Sequence, residues 1–144
     1  IKEALAAGRN YGVFEMVGSP VGFDARAEKG AAVYEMGDTA PLGATFVVDA
    51  PQVRDLDPQA EAPAITLRVL RATADDAGFE EVARTTEARL TAPLDAPGAY
   101  RAEVRILPWH LREHLRDDAY GYLDVPAVEG RDYVWIYGGA IYVQ

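Results

Sequence analysis

The chain has no cysteine, so neither a disulfide framework nor a thiolate metal site is available to it, and thiol usage says nothing of its redox compartment. Histidine is scarce: His110 and His114 are the only two, which leaves an imidazole-based metal centre short of ligands unless carboxylates complete it. Positive charge is thin as well, with 14 Lys and Arg against 23 Asp and Glu, and the net charge of −9 is spread along the chain. Polyanion binding rests on Lys and Arg neutralising phosphate, so nucleic acid and anionic membrane are poor partners. No apolar run approaches the ~20 residues of a membrane span, and no basic region followed by an apolar stretch marks a signal peptide. The segment reads as soluble, with bacterial cytoplasm and periplasm both open.

What is present fits one domain. A chain of 144 residues is long enough to bury roughly 70% of its unfolded surface without staples. Ile1, Ala4 and Leu5 repeat at helical spacing before Gly8 supplies a stop, so residues 1–8 read as the remnant of a preceding helix in a longer protein. From residue 9 the texture changes to short apolar runs punctuated by Gly, Pro and Asp, the pattern of a β protein. Strands are expected over Tyr11 to Val17, Phe23 to Glu28, Val33 to Met36, Thr45 to Val48, Ile65 to Val69, Glu80 to Thr86 and Glu87 to Leu94. Tyr100, Ala102, Val104 and Ile106 alternate most cleanly, against Arg101, Glu103 and Arg105, and Tyr133 to Val143 closes the chain with a bend or bulge at Gly138-Gly139. The acidic stretch from Pro51 to Pro63 is expected as loop. Pro108 to Ala119 reads as a helical excursion, with Leu111, Leu115 and Ala119 on one face. The expected fold is all-β: an immunoglobulin-like, two-sheet antiparallel sandwich of about seven or eight strands over residues 9–144.

Few residues carry chemistry. Gly98 and Tyr100 open the cleanest strand, and a tyrosine at that place in immunoglobulin-like sandwiches turns its hydroxyl back to nearby backbone and pins a corner. His110-Leu111-Arg112-Glu113-His114 matches H-x-x-E-H, in which two histidines bind zinc and the glutamate acts on metal-bound water. A third protein ligand is missing: only Glu129 and four aspartates follow His114, and the reading preferred is a solvated helical face, with no metal site. The pairs Asp75-Asp76, Glu80-Glu81 and Asp117-Asp118 are adjacent in sequence and do not face each other across a cleft, so they read as solvated acids. Gly37-Asp38 and Gly138-Gly139 read as turns, not phosphate cradles. The last third is aromatic: Trp135 is expected in the core, while Trp109, Tyr120, Tyr122, Tyr133, Tyr137 and Tyr142 leave a docking or sugar-stacking surface open.

Three segments together resemble the C-terminal β-sandwich that follows the catalytic barrel in some PHP-family (polymerase and histidinol phosphatase) metal-dependent phosphoesterases. Ala4 to Phe14 is similar to the junction leaving the barrel. Gly18 to Ala25 with Met36-Gly37-Asp38 looks like the first hairpin, and Pro97 to Val104 with Trp135 to Val143 completes the module. Gly139-Ala140 departs from the family's Asn-Pro before the last Ile-Tyr-Val, and the excursion carrying His110 and His114 looks like an addition. The resemblance implies a parent enzyme whose barrel holds divalent metals. It implies for this segment no catalytic residue and no cofactor, and a structural or regulatory role packed against the barrel within the same protein. Homo-oligomerisation stays open. Two alternatives stand beside it: a free-standing immunoglobulin-like module binding sugar or protein, and a small zinc hydrolase using His110, Glu113 and His114.

Overall fold

The computed structural model describes residues 2–73, 78–115 and 130–144. The leading helix, α1 (Lys2–Ala6), is followed by β1 (Tyr11–Val13), a 3-10 turn (Glu15–Val17), β2 (Pro20–Val21), β3 (Asp24–Lys29), β4 (Ala32–Glu35), β5 (Thr39–Ala40) and β6 (Thr45–Asp49). Then come β7 (Gln52–Val53), β8 (Ala64–Ala72), β9 (Glu80–Thr85), β10 (Arg89–Pro93), β11 (Gly98–Leu107), a 3-10 turn (Trp109–Leu111), α2 (Arg112–Leu115) and β12 (Tyr133–Val143).

The fold is all-β, with two principal sheets packed into a sandwich-like domain. Six strands form one sheet, in the order β1-β12-β11-β8-β9 with β5 also on β12, and four form the other, β10-β6-β3-β4; β2 and β7 pair separately. The core lies between the two large sheets. Ala25, Ala27, Phe46, Val48, Leu90 and Ala92 come from the smaller sheet, and Leu67, Val69, Val104, Ile106, Trp135 and Ile141 from the larger. Each large side chain buried there contributes roughly 1.5–3 kcal/mol. Period-two alternation delivers this: Tyr100, Ala102, Val104 and Ile106 face in, and Arg101 and Arg105 stay partly exposed.

Several expectations are revised. The described strands number more than eight, because β2 with β7 and the single pairing of β5 use runs too short to show alternation. Tyr11 to Val17 is not one strand: it breaks after Val13 into a 3-10 turn. The stretch Pro51 to Pro63 is not all loop, since Gln52–Val53 pairs with Pro20–Val21. The pairing of β5 with β12 is parallel, an exception in an otherwise antiparallel set. In the helical excursion, a 3-10 turn precedes a short α2, and residues 116–119 lie outside the described residues.

β12 carries two irregularities that shape the molecule. Opposite Val104 and Arg105 stand Ile136 and Val134, so Trp135 is an extra residue, and the bulge lets the consecutive Trp135 and Ile136 both be fully buried. The second falls at Gly138-Gly139, opposite Ala102. There the other edge of β12 receives the leading segment: Gly139 N–H donates to Asn10 O at 2.9 Å and Gly37 N–H to Ala140 O at 2.7 Å. A Cβ on Gly139 would lie 2.6 Å from Gly8 O, and one on Gly37 only 1.6 Å from Ala7 O. Three backbone segments meet where side chains have no room.

Candidate functional site

Tyr100 is 2% exposed, and its hydroxyl donates to Ala96 O at 2.9 Å. Gly98 holds φ at +150°, and a Cβ there would approach Ala72 O to 2.7 Å, so both residues fix how the chain enters β11. Trp135 is likewise fastened, its indole N–H donating to Gly18 O at 2.7 Å.

The H-x-x-E-H segment takes a different form from a regular helix. His110 sits on the 3-10 turn, and Glu113 and His114 on α2. Among the described residues, no group of three His, Asp or Glu side chains is placed to hold a metal ion. Glu129, the one glutamate after His114, lies outside the described residues, as do Asp75-Asp76, Asp117-Asp118, Tyr120 and Tyr122. The expected solvated face is corrected for His110, which is buried, while Glu113 and His114 are exposed. The physical reason is local: the imidazole packs beside Gly18, where a Cβ would lie 3.6 Å from Nε2.

Neither Nδ1 nor Nε2 of His110 completes a hydrogen bond to another protein group. Burial holds this imidazole below the ordinary histidine range; the Val17 backbone opposes the shift, and the charge of His114 adds to it. A cleft of about 310 Å³ opens over the turn, lined by Asp57, Glu61, Trp109, His110, Arg112 and His114 among others. Arg112 crosses it, 2.6 Å from Glu61 and 5.5 Å from the Trp109 ring centre. The ring nitrogens of His110 are shut away from solvent. The imidazole therefore serves as packing in the cleft wall and is poorly placed to reach a ligand.

A second site lies on the outer face of the six-stranded sheet. Here Arg101 of β11 places its guanidinium carbon 3.9 Å from the centre of the Phe79 ring and 5.1 Å from that of Tyr137. Tyr137 in turn meets Phe14 edge to face at 6.0 Å. Phe79 and Phe14 are 47% and 53% exposed. Beside this row runs a row of charges: Arg68 bonds Glu81 at 2.5 Å and Glu103 at 2.7 Å, and Arg105 bonds Glu103 at 3.3 Å and Asp132 at 2.6 Å. Arg105 holds the Asp132 carboxyl below its usual range. The outward position of Arg101 was readable from alternation, but that of Tyr137 was not, since it stands two residues after the buried Trp135 and the bulge changes the phase of β12. Phe79 had no signal either, since its partners arrive from distant strands. Of the other terminal aromatics, Tyr142 is exposed and Trp109, Tyr133 and Tyr137 are half-buried.

No family model, no curated protein and no solved structure matches this chain.

Proposed function

We propose that this chain is a non-catalytic accessory domain, an immunoglobulin-like sandwich of the kind that follows the barrel of PHP-type metal-dependent phosphoesterases, with a structural or regulatory role. The observation that supports it is the leading helix. α1 has five residues and none is buried, and Leu5 is 59% exposed. A helix this short is not stable alone. Yet its C-terminal end is fastened to the sandwich, where Gly8, Gly37 and Gly139 meet. A helix anchored at one end and bare along its sides is arranged to pack on a neighbouring domain. On this reading the divalent metals and the hydrolytic residues belong to the barrel.

The test is a protein that carries this chain together with the region upstream of it. Amides of residues 4 to 8 are expected to be protected from exchange there, and the melting temperature to exceed that of the chain alone. Phosphoester hydrolysis with added manganese is expected to depend on upstream residues only. Free exchange at residues 4 to 8 in the longer protein, or hydrolysis lost on substituting a residue of this segment, overturns the proposal. A second reading, a free-standing immunoglobulin-like binding module, is favoured by a different observation, the exposed row of Phe14, Tyr137, Arg101 and Phe79.

A further inference from the structure

We propose that the outer face of the six-stranded sheet binds a sugar carrying a single carboxylate, a uronic acid unit, with Arg101 as the anion-binding group and Phe14 and Tyr137 as the ring platform. The inference rests on this row and not on the accessory-domain reading.

The first support is the state of Arg101. The other partly buried arginines, Arg26, Arg68, Arg71, Arg105 and Arg112, each meet a carboxylate. Arg101, also partly buried, meets none among the described residues and lies against the Phe79 and Tyr137 rings; its Nε is buried without a hydrogen-bond partner, as are those of Arg71 and Arg112. A guanidinium stays charged at any physiological pH, so a cation without an acid in a chain with 23 acids is a site kept open for an anion. Its guanidinium carbon lies 3.9 Å from the centre of the Phe79 ring and 5.1 Å from that of Tyr137, and a planar guanidinium can offer a carboxylate a two-pronged bond.

The second support is local charge. The chain is acidic as a whole, but the adjacent row sets Arg68, Arg84 and Arg105 against Glu81, Glu103 and Asp132. Among the described residues of this row these balance, and Arg101 beside them adds one positive charge. One cation matches one carboxylate, not a polyanion.

The third support is the kind of contact on offer. β11 is paired along its length with β8 and β12, so its main chain has no free groups to add an extended peptide strand. At the position of Arg101, recognition falls to side chains. A half-exposed Phe14 ring set against Tyr137, next to a cation, suits a pyranose whose C–H face lies on the aromatic rings while its carboxylate reaches Arg101.

The test is titration of the full chain by calorimetry with cellobiouronic acid and with cellobiose, which differ only in the oxidation of one terminal carbon. The acid is expected to bind at least about tenfold tighter, a difference that added salt reduces. Arg101→Gln is expected to bring the acid down to the level of cellobiose with the melting temperature retained. Arg101→Lys, which keeps the charge and loses the two-pronged geometry, is expected to fall between. It decides the matter if the glutamine variant does not fold. Phe14→Ala is expected to weaken both sugars. Equal binding of the two sugars, no binding of either at millimolar concentration, or full affinity in folded Arg101→Gln overturns the proposal. So does an acidic peptide that binds through Arg101 where cellobiouronic acid does not.

Discussion

The Tyr100 hydroxyl reaches back four residues to the carbonyl of Ala96, at 2.9 Å, and closes the turn that delivers the chain into β11. The turn and the strand are thereby one unit: β11 pairs with both β8 and β12 from its first residues, so its starting point sets the register of three strands.

Tyr100→Phe keeps the ring and removes the bond. We predict a loss of about 1 kcal/mol in chemical denaturation, the usual worth of one such hydrogen bond. An unchanged midpoint would show that the corner is held by packing alone.

Gly98→Ala asks more of the same turn. A Cβ would stand 2.7 Å from Ala72 O on a backbone at φ +150°. We predict a destabilisation of at least about 1–3 kcal/mol, larger than that of Tyr100→Phe, because both strain and a backbone clash are introduced. A smaller effect would mean that β8 and β11 separate easily at this end.

His110 makes stability depend on pH. Its folded pKa lies below the unfolded value, near 6.5, so between the two the unfolded chain binds more protons. Stability is then full above the unfolded pKa and declines as pH falls below it. His114, Asp57 and Arg112 are ionisable side chains lining the same cleft, so the measurement is a difference: wild type minus His110→Gln, by denaturation from pH 8 down to about 5. A flat difference across that window would show that the imidazole gains its proton in the folded state without penalty.

Burial also separates the two histidines. His110→Ala is expected to cost about 1–3 kcal/mol through loss of packing, whereas the exposed His114→Ala should move stability by less than ~0.5 kcal/mol. Metal analysis of purified protein is expected to find well under one equivalent of zinc. Stoichiometric zinc, lost in both variants, would revive the reading of a small zinc hydrolase.

Gly37→Ala probes the anchoring of the leading helix. Its Cβ would fall 1.6 Å from Ala7 O, so the helix end must move away. We predict faster hydrogen exchange at the amides of Gly8 and Arg9, with the amides of β6, in the opposite sheet, unchanged. Uniform loss of protection would instead make this junction part of the folding core.

The sequence by itself determined what local chemistry can determine. Alternation along Tyr100 to Ile106 announced which side chains face inward, because a strand's period of two is written in consecutive residues. Gly98 and Tyr100 announced a corner, and Gly138-Gly139 an irregular strand. What only the tertiary structure decided depends on residues far apart in the chain. Gln52–Val53 is a strand solely because Pro20–Val21 lies beside it, and two-residue strands have no pattern to read. Trp135 and Ile136 are both buried because a bulge against β11 turns two neighbours the same way, against the alternation that would have sent one outward. His110 looked solvated from its polar neighbours, and the 3-10 turn with Gly18 beneath it made it part of the interior. The row that holds Arg101 joins the segments before β9 and after β1 to the two C-terminal strands. No spacing in the sequence marks it, since strand order across a sheet is fixed by long-range pairing and not by the order of the chain.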